Sequence, residues 1–149
     1  MRKLSRAALA VLLAMSVTGI ATAANPPATG LGQAWPNAAD VSASPNWHVY
    51  VFELNGIKYV QVNDLNGNVL GAIGAVDGQF ITLPIGRFAQ YVSTSQQAAP
   101  SSSSAIPATT VYKDDSTVIT ATPQSDGSTT LSASASAVCV PDECNKHGD

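Results

Sequence analysis

Three turn dipeptides at regular spacing dominate the middle of the chain. Asn55-Gly56, Asn66-Gly67 and Asp77-Gly78 follow one another at intervals of eleven residues. Each favours a two-residue type I′ hairpin turn, because both of its residues tolerate the positive φ that this turn requires. The segments between them are rich in Val, Ile, Tyr and Phe, which is typical of strands. The sequence therefore predicts a mainly β protein built on a four-stranded antiparallel meander. Its expected strands are residues 47–54, 57–64, 69–76 and 79–85.

The turns also determine which residues face each other across the predicted strands. The first turn places Glu53 opposite Lys58, and opposite charges at facing positions stabilise a strand pair. The second places Tyr59 opposite Gly74, where an aromatic ring compensates for the packing that a strand glycine lacks. Three turns chosen independently thus predict one consistent register.

Both faces of this predicted sheet are apolar. One carries mainly valines, and the other carries the four residues that we take as a candidate binding surface: Tyr50, Phe52, Tyr59 and Leu83. A solvated antiparallel sheet is polar on one side, and burying a large apolar side chain is worth about 1.5–3 kcal/mol. Because few large apolar residues lie outside the meander, we expect it to associate through this face, as a homodimer or with an envelope protein.

The segments around the meander are poor in large apolar residues. Residues 24–45 are expected to form a flexible arm, and residues 93–110, "STSQQAAPSSSSAIPATT", a linker rich in Ser, Ala and Pro. Such segments bury too little surface to offset the entropy of ordering them. Residues 111–149 are expected to form weak strands and a tail. The predicted folded domain is therefore residues 46–92.

The beginning of the chain has the pattern of a secretory signal peptide. Three basic residues precede an apolar run at residues 7–17, and small residues lead to Ala21-Thr22-Ala23. These are the charged, apolar and cleavage regions of such a peptide. The run is shorter than the roughly 20 residues of a membrane span. We expect cleavage before Ala24, a secreted or periplasmic protein, and no stable membrane span after cleavage.

Cleavage would leave a strongly acidic protein. Four basic and ten acidic side chains remain after residue 23, a formal charge of −6. Nucleic-acid binding and attraction to anionic membranes both require clustered Lys and Arg. Neither is expected as a partner.

The motif "DLNGN" at residues 64–68 resembles part of a calcium loop. An EF-hand places acidic or amide ligands at positions 1, 3 and 5, Gly at 6 and Glu at 12. With Gly67 at position 6, positions 1 and 12 are Val62 and Ile73, whose side chains bind no cation. The sequence therefore favours a hairpin turn.

The two cysteines, Cys139 and Cys144, lie close together near residue 149. An oxidising compartment favours a disulfide between them. The alternative is a metal site with Asp142, Glu143 and His147. This spacing is a weak match to the three or four ligands that zinc requires. No metal or cofactor is expected.

Recognisable catalytic motifs are absent from the sequence. It contains no G-x-S-x-G, no H-E-x-x-H and no phosphate-binding glycine loop. We therefore expect a non-catalytic envelope or secreted protein, which acts as a binding or structural module through an apolar sheet face or edge. The alternative is a small secreted hydrolase or metal-binding protein that uses Cys139, Cys144 and His147.

Overall fold

A computed structural model describes residues 26–100 and 106–137. Within these ranges the chain forms eight strands and a single-turn 3₁₀ helix, Ala89–Tyr91. The strands are β1 His48–Leu54, β2 Ile57–Asn63, β3 Val69–Val76, β4 Gln79–Thr82, β5 Val92–Ser93, β6 Thr109–Lys113, β7 Thr117–Pro123 and β8 Thr129–Ala135. The expected signal peptide and both cysteines lie outside the described residues.

The first sheet is the predicted meander. Its strands are ordered β1-β2-β3-β4 and all its pairs are antiparallel, which confirms a mainly β fold with a four-stranded antiparallel sheet. The facing pairs Glu53–Lys58 and Tyr59–Gly74 are also confirmed. Local turn chemistry therefore predicted the β1–β2 register and the β2–β3 register from Lys58 to Val62.

Two of the three turns have the predicted backbone. Asn55 and Gly56 have φ of 52° and 79°, and Asp77 and Gly78 have φ of 49° and 74°. Positive φ at both central residues is the signature of a type I′ turn. These two turns lie at the same end of the sheet, because each connects an odd strand to the following even strand.

The middle turn differs from the prediction. Gly67 has φ of 83°, but Asn66 does not have a positive φ. The Gly67 amide donates to the Asp64 carbonyl at 3.1 Å, and the Asp64 amide donates to the Asn68 carbonyl at 3.0 Å. This is a three-residue loop with glycine in the left-handed region. It shifts the register between Val62 and Asn63.

The Asp64 side chain accounts for this loop. Its Oδ1 accepts hydrogen bonds from the amides of Asn66 and Asn68, both at 2.9 Å. Its Oδ2 accepts from Asn68 Nδ2 at 2.7 Å. An Asp that bonds the amides following it favours this turn over the two-residue type. These bonds hold the pKa of Asp64 below its ordinary value, although burial acts in the opposite direction.

A second sheet covers one face of the meander. Its strands are ordered β5-β8-β7-β6, with β5 parallel to β8. The buried core combines residues of both sheets and includes Val49, Val60 and Ile73 with Ile119 and Leu131. The core therefore extends beyond residues 46–92. The Ser/Thr-rich strands β7 and β8 contribute to this core because their apolar residues alternate onto one face, which is buried.

The arm at residues 26–45 lies against the sandwich rather than apart from it. Asp40 forms an isolated bridge with Tyr50, and the Val41 amide donates to the Val49 carbonyl at 2.8 Å. Two residues later, the Ala43 amide donates to the Val111 carbonyl at 2.8 Å. The arm therefore connects the outer edge of β1 with that of β6.

Candidate functional site

Two buried polar side chains attach the arm to the second face of the meander. The Gly32 amide donates to Gln61 Oε1 at 2.6 Å, and Gln61 Nε2 donates to the Gln33 carbonyl at 2.8 Å. Asn63 Nδ2 donates to the Ala34 carbonyl at 2.7 Å. Buried polar groups require partners, and here the arm backbone supplies them. In the sequence, this contact is indicated by a glutamine and an asparagine that lie on an otherwise apolar face of the predicted sheet.

The arm has two further contacts at the same end of the sheet. The Trp35 ring lies over Gly67, where an added Cβ would be only 2.7 Å from the ring carbons. Asp40 Oδ2 is paired with His48 Nδ1 at 2.7 Å. The Trp35 and His48 rings meet edge to face with centroids 5.4 Å apart. This end of the second face is therefore closed by residues of the same chain.

The structure places the four predicted site residues in different surroundings. Tyr50 and Phe52 are each only 5% exposed, and the Tyr50 backbone forms a bridge with Asp40 of the arm. Tyr59 and Leu83 are half-buried. Tyr50 is therefore a core residue in this structure, whereas the other three adjoin a groove.

The other end of the second face is open. It is formed by Leu54, Ile57, Tyr59, Ile81 and Leu83, which we call the open half-face. Leu54 is 61% exposed and Ile81 is 54% exposed. A Cβ placed on Gly74 would lie 3.5 Å from the Tyr59 ring and 3.7 Å from Leu83 Cδ1, so these side chains cover the glycine. Exposed large apolar residues on one surface are typical of interaction sites.

A groove runs between the open half-face and the first residues of the arm. Its volume is about 460 Å³, and residues 28–31 form one wall. The opposite wall consists of Phe52, Glu53, Leu54, Tyr59 and Leu83. Most of this lining is apolar, and the volume is within the range of roughly 300–1,000 Å³ that ligand sites occupy. Three of the four predicted site residues therefore share one concave surface.

A cleft between the sheets opens beside this groove, at the end where the two type I′ turns lie. Its volume is about 370 Å³, and its apolar lining includes Ile57 and Phe80. Its polar lining includes Glu53, Asp77 and Ser116. Glu53 lines both the groove and the cleft, but its carboxylate is on the cleft side, because Glu53 shares a face of the sheet with Lys58, whose ammonium reaches the second sheet.

An ion pair beside this cleft connects the sheets. Lys58 Nζ donates to Asp114 Oδ2 and, at 3.1 Å, to Ser116 Oγ, while Tyr112 Oη donates to the same carboxylate at 2.7 Å. Lys58 thus faces Glu53 across the strands as predicted, but its ion pair is with Asp114 on the other sheet. Burial opposes ionisation of Asp114, yet these hydrogen bonds hold its pKa well below the ordinary value. Burial and the adjoining carboxylate raise the pKa of Tyr112.

Several sheet edges already have partners. The arm covers β1 at Val49 and β6 at Val111. On β4, the Phe80 amide donates to Gln96 Oε1 at 3.3 Å, and Thr82 Oγ1 donates to Gln97 Oε1 at 2.9 Å. Covered edges offer few backbone groups to another strand. The face is therefore the more accessible surface for binding.

Acidic, histidine and serine side chains lie near one another where the arm meets β1. Within residues 26–100 and 106–137, no three His, Cys, Asp or Glu side chains are placed to hold a metal ion. Asp40 and His48 form an acid–histidine pair, but the nearby Ser42 Oγ donates to the Ser44 carbonyl at 2.7 Å. These residues therefore do not form a serine–histidine–acid relay.

No protein-family model, no curated protein and no solved structure matches the chain. The class of the protein therefore follows from its fold and surface: a two-sheet β protein with an apolar groove beside an exposed apolar half-face. No helix among the described residues has the length and apolar character needed to span a bilayer.

Proposed function

We propose that this chain is an exported, non-catalytic binding module that holds a partner protein on the open half-face and in the adjoining groove. The observation that carries the proposal is the exposure of Leu54 and Ile81 beside a mostly apolar cavity of about 460 Å³. Apolar side chains that enter such pockets supply much of the energy of protein recognition. The rest of the second face is buried by the arm, which limits the site to one end.

The partner is proposed to be a different protein rather than a second copy. After cleavage at Ala24 each copy would carry a formal charge of −6, and like charges disfavour association. A homodimer is an outcome that the experiment below distinguishes. Export rests on the signal-peptide pattern of residues 1–23. The mass of the exported protein should correspond to a chain that begins at Ala24.

The second candidate, a small secreted hydrolase or metal-binding protein, depends on Cys139, Cys144 and His147. All three lie outside the described residues. Near the acid–histidine pair of Asp40 and His48, the Ser42 hydroxyl donates to the Ser44 carbonyl rather than to the imidazole. The groove therefore favours binding over catalysis.

Site-specific photo-crosslinking in cells that export the protein tests the proposal. A photoreactive residue is placed at Leu54 or Ile81, and the control carries it at Leu65. Leu65 is a matched control because it is 53% exposed but lies in the middle turn, at the closed end of the sheet. We expect a discrete protein adduct from positions 54 and 81 and none from position 65.

The adduct identifies the occupant. An adduct with a different protein supports the proposal. An adduct with the mass of two copies would show that a second copy of this chain, and not a different protein, occupies the site. If positions 54 and 81 give no more adduct than position 65, the open half-face is not a binding surface and the proposal is wrong.

A further inference from the structure

The charges around the open half-face determine what kind of partner segment fits it. Two carboxylates, Glu53 and Asp77, lie at this end of the sheet, next to the two type I′ turns. Glu53 lines the groove and the cleft, and Asp77 lines the cleft. Both residues are exposed, and the ion pairs of the described residues, Asp40–His48 and Lys58–Asp114, include neither of them. The cleft beside the apolar site therefore carries two carboxylates that no ion pair among the described residues compensates.

None of the basic residues that the structure describes forms an ion pair with either carboxylate. Lys58 is beside the cleft, but its ammonium is held by Asp114. Arg87 lies over the Phe88 ring, next to the middle turn at the opposite end of the sheet. Lys113 is exposed at the end of β6 on the second sheet, and Lys146 lies outside the described residues.

We infer that the partner segment is cationic as well as apolar, with Lys or Arg side chains that reach the cleft beside the apolar residues entering the groove. This inference rests on the proposed function and specifies the chemistry of the partner at the same site. Complementary charges around an apolar centre increase association rates and select against wrong partners. The formal charge of −6 acts in the same direction over longer distances.

The size of the effect follows from the exposure of the two carboxylates. Exposed ion pairs contribute little to the free energy of binding, and each pair corresponds to about a two- to fivefold change in affinity. Removing both charges should therefore weaken the binding of a cationic segment roughly four- to twenty-fivefold. Salt should have a similar effect, because such pairs are screened.

Three short blocked peptides of equal length test this inference on the mature protein. Leucine alternates with lysine in the first, with glutamine in the second and with glutamate in the third. Their affinities are measured by fluorescence anisotropy at low and high salt for the wild type, Glu53→Gln, Asp77→Asn and the double variant. Asp126→Asn is the charge control, because it removes a carboxylate from the β7–β8 turn at the other end of the second sheet.

We expect the lysine peptide to bind the wild type most tightly and the glutamate peptide most weakly, with the difference reduced at high salt. The double variant should lose about four- to twenty-fivefold in affinity for the lysine peptide and nothing for the glutamine peptide, while Asp126→Asn remains close to wild type. Equal binding of the lysine and glutamine peptides would overturn the inference and leave the proposed function intact. If no peptide binds and position 54 gives no crosslink, the proposed function fails as well.

Discussion

Replacing Gln61 with leucine should release the arm from the second face of the meander. Gln61 is fully buried and makes three side-chain hydrogen bonds, with the Gly32 amide, the Gln33 carbonyl and Asn63 Oδ1. Leucine has a similar volume, although it is shorter and branched, and its side chain neither donates nor accepts hydrogen bonds. The substitution therefore tests the bonds to the arm with little change in packing volume.

The magnitude follows from what each broken bond leaves behind. Gly32 and Gln33 are exposed, so water can replace the bonds of their backbone groups. Asn63 is fully buried, and its side-chain oxygen, Oδ1, loses the hydrogen bond from Gln61 Nε2. An unsatisfied buried polar atom costs about 1–3 kcal/mol, and a satisfied hydrogen bond contributes about 1 kcal/mol. Burial of the leucine offsets part of this loss, so we expect Gln61→Leu to lower the free energy of unfolding by about 2 kcal/mol.

Urea denaturation and the binding of an apolar dye measure the two consequences. The free energy of unfolding should fall as stated, and dye binding should rise because Tyr50 and Phe52 lose their cover. Gln97→Leu is the control: it removes an exposed hydrogen bond to Thr82 and should change stability by less than about 0.5 kcal/mol. A Gln61→Leu variant with wild-type stability and no added dye binding would refute the conclusion that these bonds hold the arm.

Three further predictions concern other parts of the chain. Gly86→Ala should lower the free energy of unfolding by about 2–5 kcal/mol, because φ is 102° and the added Cβ would lie 2.5 Å from the β3 backbone. Gly56→Ala is the control, because φ is 79° and the added Cβ would meet open space. It should lower the free energy of unfolding by only about 1–2 kcal/mol. The pKa of Asp114 is lower in the folded state than its ordinary value of 3.8, so its ionised form contributes stability above about pH 4 that is lost as the pH falls towards the folded-state pKa. Asp114→Asn should therefore be less stable than wild type at neutral pH and lose less stability on acidification, and parallel losses from pH 5 to pH 2 on thermal denaturation would contradict this sign. Non-reducing peptide mapping of exported protein should find Cys139 linked to Cys144, whereas one zinc ion per chain that is lost on Cys139→Ser would favour the metal site.

The strand register could be read from the sequence because it depends on neighbouring residues. A dipeptide that accepts two positive φ angles fixes a hairpin, and each hairpin aligns the residues on both sides of it. Asn55-Gly56 and Asp77-Gly78 behave in this way. The middle turn was predicted less well, since the competing signal was the side chain of Asp64, which bonds the amides two and four residues ahead. All of these interactions are local.

The candidate site could be predicted only in part. The sequence identified the apolar second face, including Phe52, Tyr59 and Leu83, which line the groove. It did not predict which end of that face would remain open, because the arm contains few large apolar residues. The arm is attached by backbone groups that form hydrogen bonds with the side chains of Gln61 and Asn63. The amino-acid composition of the arm does not predict such hydrogen bonds.

By itself, the sequence determined the meander, its register and its two apolar faces, because these follow from turn chemistry and from the alternation of side chains along a strand. Only the tertiary structure decided what covers each face. The second sheet covers one face through β8, whose Leu131 lies against Gly71 of β3. The arm covers half of the other through bonds between residues 28 and 29 positions apart in the chain. Many segments satisfy the general requirement that apolar surface be buried, and the choice among them depends on the three-dimensional match of shape and hydrogen-bond partners.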